Sequence, residues 1–483
     1  MDFEAVIGLE VHAELKTRTK MFCACQVLDP TRSEPNSAVC PVCLGLPGTL
    51  PVINQQAVEL GLRAALALGC TPLPRSIFAR KNYFYPDLPK GYQISQYETP
   101  LAVTGHLKIN TADGEKTIRI RRVHLEEDTG KLSHISEPTP RSLVDLNRAG
   151  IPLLEIVTEP DLSSPAEARA YGMKLQQLLR AIAASNADME KGQIRFEANI
   201  SLRPRGSQQL GTRTEIKNLN SFRSMERAIA YEIQRQQEVL LAGSSVDQQT
   251  VGWDETAGVT FPQRDKEEAH DYRYFPEPDL PPLVVDSAWL QRVRAEMPAL
   301  PKERVRQLQQ NYGVPADLAD LILSEPALER YFFACAALTT EAVDTARWLT
   351  GPLAGEMNNR GLSWDNLRVP PADTVDLLER LRTGSLSLPM AKTVLKKMLD
   401  SGESPREIIT REGMAPVSDS VALRAAIQAI FDQHPAEVQS YLHGKTSLAQ
   451  WFFGQVMSAT RGQADPRVLR GLLAEMLANL PPL

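Results

Sequence analysis

The sequence predicts an α+β protein in which a mainly antiparallel β-sheet occupies the N-terminal region and helices occupy the rest of the chain. Polar and apolar residues alternate over residues 3–15 and again over residues 193–203, as in strands with one buried face. From about residue 290 onward the apolar residues keep helical spacing throughout. Because strands and helices do not alternate strictly, an antiparallel sheet with helices packed on it is favoured over a parallel sheet.

The predicted strands carry the polar residues of interest. The first strand directs a polar set to one face, namely Glu10, His12 and Glu14. Three further segments have strand patterns, namely residues 101–109, 117–127 and 151–157. The second of these loses its alternation near Arg121-Arg122, as a β-bulge would cause. A short run places Arg213, Glu215 and Lys217 on one side of a strand.

Two helices are predicted within the N-terminal region. One begins at Ser164-Pro165, where Glu167 completes a capping-box pattern and proline occupies the first helical position. The other runs from about Ser221 to Gly243, where glycine ends it.

The chain divides into three expected domains, namely residues 1–290, 291–404 and 405–483. A proline-rich stretch at residues 276–282 closes the first, and a Ser/Gly/Pro stretch near residue 405 separates the other two. The 483 residues are enough for about three domains of ~150 residues each.

Composition excludes several classes of protein. With 43% apolar and 23% charged residues, wholesale disorder is excluded. The net charge of −6 gives no basic excess, so an RNA partner would be bound by local patches or by shape. No run approaches the ~18 apolar residues of a membrane span, and the N-terminus has no leader pattern. We therefore expect a cytoplasmic protein without a membrane partner.

Four of the six cysteines lie close together, namely Cys23, Cys25, Cys40 and Cys43. Paired cysteines on tight turns can direct four thiolates to one centre, and four thiolates leave no open position for chemistry. The pattern therefore indicates a structural zinc site. The alternative is four reduced cysteines that do not bind a common ion.

Acidic residues and a histidine suggest a second metal site. The polar face of the first strand is joined by a downstream cluster, namely His124, Glu126, Glu127 and Asp128. Adjacent acids repel one another unless a cation neutralises them, and magnesium carrying nucleotide phosphates would do so. The alternative is a solvated sheet face.

Mixed charges on two further strands admit two interpretations as well. One face carries Arg195 and Glu197, and the other carries Arg213, Glu215 and Lys217. If both line one cavity, the acids would bind metal and the bases would neutralise phosphate; salt-bridged sheet faces are the alternative. Two loops rich in aromatic and basic residues, 81–96 and 270–276, can stack bases or simply cover a core.

Several longer motifs resemble the GatB family, the B subunits of bacterial aspartyl/glutamyl-tRNA amidotransferases. They are Val6-Ile-Gly-Leu-Glu-Val-His12, Cys40-Pro-Val-Cys-Leu-Gly-Leu-Pro-Gly48, Arg80-Lys-Asn-Tyr-Phe-Tyr-Pro-Asp87, His124-Leu-Glu-Glu-Asp128, Leu154-Glu-Ile-Val157, Gly211-Thr-Arg-Thr-Glu-Ile-Lys-Asn-Leu-Asn-Ser-Phe222, Glu268-Ala-His-Asp-Tyr-Arg-Tyr-Phe-Pro-Glu-Pro-Asp279 and Trp451-Phe-Phe-Gly-Gln-Val-Met457. The resemblance covers essentially the whole chain.

The resemblance implies a cradle-shaped catalytic domain related to glutamine synthetase and guanido kinases, a helical domain, and a YqeY-like tail that binds tRNA. It implies an ATP-dependent amide ligase that works in a heterotrimer. Such a B subunit phosphorylates the side-chain carboxylate of Glu-tRNA(Gln) or Asp-tRNA(Asn). It then amidates that carboxylate with ammonia, which the A subunit releases from glutamine and an internal channel delivers. A small C subunit clasps the A and B subunits.

The resemblance also implies residue roles. The implied magnesium ligands, around a single ion, are Glu10, His12, Glu126 and Glu127. Further implied catalytic residues are Lys81, Glu215 and Lys217. The residues implied to contact the nucleotide or the substrate are Arg195, Arg213 and Glu155. Glu155 is also a candidate metal ligand. The chain departs from the family at three positions, where it has Phe196-Glu197 for a frequent Cys-Asp, Thr129 for alanine and Phe261 for arginine.

Two other classes of function stay open at this point. One is an amide ligase that acts on a free amino acid, for which the extra helical domains would be idle. The other is a non-catalytic, zinc-containing RNA scaffold, in which the acidic strand face would be mere surface.

Overall fold

A computed structural model of the chain describes residues 2–29, 31–135, 140–263, 272–414, 420–460, 464 and 466–480. The chain forms two compact units, Met1–Pro301 and Lys302–Leu483. Within the described ranges, no helix combines the length and the apolar character that a membrane crossing requires.

Strands occur in the N-terminal unit. They are β1 (Phe3–Glu14), β2 (Thr71–Pro72), β3 (Arg75–Ser76), β4 (Ala79–Asn82), β5 (Tyr92–Ser95), β6 (Ala102–Thr111), β7 (Gly114–Glu127), β8 (Lys131–Ile135), β9 (Arg141–Asp145), β10 (Pro152–Thr158), β11 (Ile194–Pro204), β12 (Thr214–Leu219), β13 (Gln249–Asp254), β14 (Val259–Pro262), β15 (Phe275–Pro276) and β16 (Leu283–Val284).

Helices occur in both units. They are α1 (Gln55–Ala67), α2 (Pro165–Ala181), α3 (Phe222–Leu241), α4 (Ser287–Ala295), α5 (Pro301–Tyr312), α6 (Ala316–Leu323), α7 (Pro326–Ala336), α8 (Ala342–Trp348), α9 (Ala354–Asn359), α10 (Pro371–Arg382), α11 (Leu388–Ser401), α12 (Pro405–Glu412), α13 (Ser420–Gln433), α14 (Pro435–Leu442), α15 (Leu448–Ala459) and α16 (Pro466–Ala478). A π-helical turn (Leu349–Leu353) joins α8 to α9, and a 3-10 turn spans Trp364–Asn366.

In the described part of the chain, nine strands form one sheet in the order β14-β13-β12-β11-β1-β10-β7-β6-β2. Neighbouring strands are antiparallel except for the pair β12 and β13. The prediction of a mainly antiparallel sheet followed by helices is therefore confirmed.

One face of this sheet packs on helices. The apolar residues of β1 alternate inward, with Leu9 and Val11 almost fully buried. They share one hydrophobic core with Tyr171 of α2 and Met225 of α3. The opposite, polar face of the sheet is therefore left for the site.

The helix starts agree with the sequence analysis. Helix α2 begins after Ser164, whose hydroxyl accepts a hydrogen bond from the Glu167 amide, and α3 begins after Ser221. The capping box of α2 is incomplete, because the Glu167 carboxylate accepts from the Ser163 amide rather than from that of Ser164.

The N-terminal unit extends further than the expected boundary at residue 290. Helix α4 belongs to it, because Val293 packs in its core and the Trp289 indole donates a hydrogen bond to Glu59. In the C-terminal unit, two hydrophobic clusters are separate, and Ile408 of α12 packs in the first of them. The division between residues 404 and 405 stays a prediction.

Candidate active site and metal centres

A cleft of about 1090 Å³ opens on the polar face of the large sheet. Strands β1, β7, β10, β11 and β12 contribute its floor. Its lining includes most of the predicted site residues, namely Glu10, His12, Lys81, Glu126, Glu155, Arg213, Glu215 and Lys217. Residues distant in sequence thus meet in one hollow.

Strand β1 brings these residues together because it lies between β10 and β11. His12 is paired across the sheet with Glu155 on one side and with Arg195 on the other. Glu10 is paired with Val157 and Glu197. Side chains opposite one another on one face are close neighbours, so this register determines which acids meet.

A first triad consists of His12, Glu126 and Glu155. The Nε2 atom of His12 lies 3.5 Å from Oε2 of Glu155 and 3.6 Å from Oε1 of Glu126. One ligand atom from each residue lies within 4.8 Å of the others, as a common cation would require. Imidazole nitrogen and carboxylate oxygens are a donor set suited to a divalent ion.

The charges of the first triad are strongly coupled. Burial by itself lowers the pKa of His12, but the hydrogen bond and charge of Glu155, with the charge of Glu126, raise that pKa to about 9. Burial alone would raise the pKa of Glu155, yet the charges and hydrogen bonds of His124 and His12 keep it well below its usual range. The carboxylates of the triad thus attract positive charge.

A second triad consists of Glu10, Glu197 and Glu215, again with ligand atoms within 4.8 Å of one another. Its carboxylates also have protein partners. Asn199 Nδ2 donates to Glu10 at 2.9 Å, and Lys217 Nζ lies 3.0 Å from Glu197. Glu10 and His12 therefore fall in two neighbouring groups of ligand atoms, and their joint ligation of a single ion stays a prediction.

Glu127 is not in the cleft, which corrects its predicted place beside Glu126. Adjacent residues of a strand point to opposite faces, and Glu127 at the end of β7 points away from the cleft. Its carboxylate pairs with Lys90 Nζ and accepts a hydrogen bond of 2.9 Å from the Ile94 amide.

Arg195 is likewise engaged elsewhere. Its guanidinium forms two 3.0 Å hydrogen bonds with Asp128, and it is absent from the cleft lining. Arg213 does line the cleft and is exposed. Of the two predicted phosphate-binding arginines, the structure brings only Arg213 to the cleft.

Lys81 lies in the cleft wall among tyrosines. Its Nζ atom lies 4.6 Å from the ring centre of Tyr272 and 5.8 Å from that of Tyr83. Burial alone would lower the pKa of Lys81, but the electrostatic effects of Tyr274 and Glu126 outweigh burial and raise it. The ammonium group is thus kept charged. His270 and Asp271, which begin the second aromatic loop, lie outside the described residues.

Sequence reasoning missed Arg122 as a cleft residue. Both Arg121 and Arg122 line the cleft, because β7 shifts register against β10 at this point. The loss of alternation near Arg121-Arg122 was the available signal, and the predicted bulge is confirmed.

The four clustered cysteines fit a zinc ion. All four Sγ atoms lie within 4.8 Å of one another, and Cys43 Sγ is 3.9 Å from that of Cys40 and 4.0 Å from that of Cys25. Tetrahedral Zn–S bonds of about 2.3 Å separate sulfurs by about 3.8 Å. The backbone turns sharply after Cys43, where Gly45 has a φ of 69°.

Cys43 is prepared to act as a thiolate ligand. A hydrogen bond from Cys23 lowers the pKa of Cys43 to about 4 despite partial burial. The Cys40 amide donates to the same sulfur at 3.1 Å, and Lys20 Nζ lies 3.6 Å from it.

Zinc removal is expected to change the number of reactive thiols. Before chelation, bound zinc should protect the cluster; after chelation, four cysteines should react with a colorimetric thiol reagent. Cys70 and Cys335 should react only after denaturation, because both side chains are buried and neither belongs to the cluster that chelation opens. Cys335→Ser is the control and should remove one denaturation-dependent thiol. An unchanged thiol count on chelation of a metal-loaded chain would contradict the zinc site.

Comparison with known proteins identifies the family. A family model described as the GatB/GatE catalytic domain matches residues 5–291, and one described as a GatB domain matches residues 330–477. The B subunit of the aspartyl/glutamyl-tRNA(Asn/Gln) amidotransferase of Moorella thermoacetica is 51% identical over 478 residues, covering 99% of this chain and 100% of the relative. The corresponding subunits of Thermomicrobium roseum and Persephonella marina are 49% and 44% identical, covering 99% of this chain and 99% and 100% of the relatives. Because one family model spans more than half of the chain and the relatives align with nearly all of it, the chain belongs to the GatB family.

Proposed function

We propose that the chain is the B subunit of a glutamine-dependent tRNA amidotransferase, an ATP-dependent amide ligase of translation. It converts Glu-tRNA(Gln), Asp-tRNA(Asn) or both to the amidated aminoacyl-tRNA. The observation that carries this proposal is the cleft in which two triads of metal-ligand type face lysine and arginine side chains.

The reaction requires an activated carboxylate. Ammonia does not displace oxide from a carboxylate, so a side-chain oxygen first attacks the γ-phosphorus of ATP and ADP leaves. Ammonia then attacks the carbonyl carbon of the acyl phosphate and inorganic phosphate leaves. The transferring phosphoryl group carries spreading negative charge, so positioning and electrostatic stabilisation are the main tasks of the protein.

The residues of the cleft fit these tasks. The triad of His12, Glu126 and Glu155 would hold magnesium. The triad of Glu10, Glu197 and Glu215 is a second candidate site. Magnesium supplies charge neutralisation at the nucleotide phosphates when bound. Lys81 and Lys217 lie on the same cleft and would contact phosphate or the substrate carboxylate. No protein nucleophile is needed for either step.

The remaining assignments follow from the family. The A subunit would supply ammonia through an internal channel, and the C subunit would clasp the two. The fold of the first domain would be the cradle of glutamine synthetase and guanido kinases, and residues 405–483 would be a YqeY-like, tRNA-binding tail. The zinc site would be structural, because four cysteines leave no open position. Helices on one side of the sheet and a cleft on the other support the cradle.

ATP hydrolysis by the assembled complex should depend on the acceptor. With glutamine present, misacylated tRNA should stimulate release of ADP, whereas free glutamate or aspartate should not, because only the tRNA ester occupies the whole site. The measurement is ADP release with each acceptor. Stimulation by the free amino acid would favour a small-molecule ligase, and no ATP turnover with any acceptor would favour a non-catalytic scaffold.

Glu10→Gln and His12→Ala should each reduce ATP-dependent phosphorylation of misacylated tRNA by on the order of 10²-fold or more, because each removes a ligand of one triad. Basal glutaminase activity of the A subunit should persist. Glu115→Gln, on the exposed β6–β7 hairpin, is the control with unchanged activity. Unimpaired amidation in either variant would remove that residue from the metal site.

Removal of the last helices should weaken tRNA binding by about tenfold or more, because a second binding module is lost. The cut belongs after Met414, since Ile408 packs with the preceding helices. Co-purification should show that the truncated chain still assembles with the A and C subunits. Loss of assembly, with tRNA affinity unaffected, would refute the role of the tail.

A further inference from the structure

Arg122 reaches the cleft because of a β-bulge. In the pairing of β7 with β10, Arg122 lies opposite Val157 but Ile120 lies opposite Thr158, so Arg121 is an extra residue. A regular strand would turn one of two consecutive residues toward the core. The bulge instead lets Arg121 and Arg122 both line the cleft.

The neighbouring strand is strained at the same point. Thr104 of β6 lies between the residues paired with Arg122 and Ile120, and has a φ of 56°. A β-branched residue adopts this left-handed conformation only at a cost in free energy. Such a conformation persists where the surroundings impose it, and here it lies opposite the extra residue of the bulge.

The Arg122 guanidinium lacks a described carboxylate partner. Its Nε atom is buried and has no hydrogen-bond acceptor among the described residues, and none of their carboxylates forms an ion pair with it. Arg121, by contrast, lies 3.4 Å from Glu159 and has a side chain 67% exposed. A buried guanidinium donor without an acceptor favours an anion.

An aromatic row holds Arg122 in place. Its Cζ atom lies 5.8 Å from the ring centre of Tyr97, which stacks on Tyr274 with centroids 4.2 Å apart and planes 9° apart. Tyr274 in turn contacts Tyr272, the ring beneath Lys81. Two cations are thus fixed at the two ends of one row of rings, which reduces the ordering cost of binding a shared ligand.

The position of Arg122 relative to the triads suits a phosphate. Arg122, Val157, Glu10 and Glu197 follow one another across β7, β10, β1 and β11. Two strand spacings, roughly 10 Å, separate the backbone of Arg122 from that of Glu10. A phosphate chain reaching from the triads toward β7 would meet the guanidinium.

We propose that Arg122 is a phosphate-binding residue of the cleft, with Tyr97 as its positioning residue. This inference rests on the proposed function. The ligand is a nucleotide phosphate, either of ATP or of the 3′ end of the aminoacyl-tRNA. A guanidinium binds phosphate in a bidentate manner, which an ammonium group does not reproduce.

The test uses the assembled complex with Arg122→Ala, Arg122→Lys and, as matched control, Arg121→Ala. Steady-state amidation gives KM separately for ATP and for misacylated tRNA. Arg122→Ala should raise one of these KM values by about tenfold to a hundredfold, and Arg122→Lys should restore it only in part. Arg121→Ala should stay within about threefold, because its guanidinium is exposed and paired.

The two sources of phosphate are distinguished by which KM changes. A raised KM for ATP, with weaker binding of a non-hydrolysable ATP analogue, identifies the nucleotide. A raised KM for tRNA, with the salt dependence of its binding reduced by about one unit of slope, identifies the acceptor end. Tyr97→Leu should raise the same KM, whereas Tyr97→Phe, which keeps the ring, should not.

The proposal is overturned if both KM values stay within about twofold of wild type in an Arg122→Ala complex of unchanged thermal midpoint. Equal effects of Arg121→Ala and Arg122→Ala would also overturn it, since they would reflect general charge. If Arg122→Ala fails to fold, the KM values of the Arg122→Lys complex provide the test, and the proposal is overturned if both stay within about twofold of wild type. A wild-type complex that does not amidate misacylated tRNA would instead refute the proposed function.

Discussion

The alternation of side chains along β1 is the constraint on which the site depends. Leu9 and Val11 point into the helix-packed core, and the residues between and beside them point into the cleft. Because the repeat is two residues, a register slip by one would bury Glu10 and His12 and expose the core residues. Such a slip would expose the apolar residues of β1 to water, and the free-energy cost of that exposure keeps β1 in register between β10 and β11. This register in turn fixes the geometry of both triads.

The electrostatics of the cleft follow from that packing. Glu126, Glu155 and Glu215 are nearly inaccessible to solvent, so water does not screen their mutual repulsion effectively. Among the described residues, imidazoles lie beside Glu155 and the Lys217 ammonium lies beside Glu197. Clustered carboxylates favour bound cations, and a cation held by carboxylates can in turn attract a polyanion. An acidic cleft is therefore compatible with a nucleotide substrate.

The pattern of polar, apolar and capping residues predicts the strands and helices well, because secondary structure depends largely on neighbours in sequence. Strands β1 and β11, the starts of α2 and α3, and the bulge at Arg121 all follow from spacing and capping residues. The membership of the triads did not follow, because it depends on the register between distant strands. That register pairs His12 with Glu155 and leaves Glu10 to a separate triad.

Glu127 and Arg195 lie away from their predicted places for two different physical reasons. Glu126 and Glu127 were assigned to one ion as adjacent acids, although adjacent strand residues face opposite ways. Arg195 has the right face but lies beside Asp128, a partner that no sequence periodicity reveals. Arg122 was not predicted as a cleft residue, because the bulge reverses the face of the sheet to which strand alternation would assign its side chain.

The zinc loop and the cleft are linked through the end of β7. Gly45 of the cysteine loop packs so closely on Lys90 that an added Cβ atom would lie 3.0 Å from the Lys90 Cα atom. Lys90 pairs with Glu127, and the next residue back along β7, Glu126, faces the cleft. A metal that closes the cysteine loop would therefore also restrain the backbone that carries a triad carboxylate. Such a centre, which has no open coordination position, would orient a carboxylate of the cleft without taking part in any chemistry there.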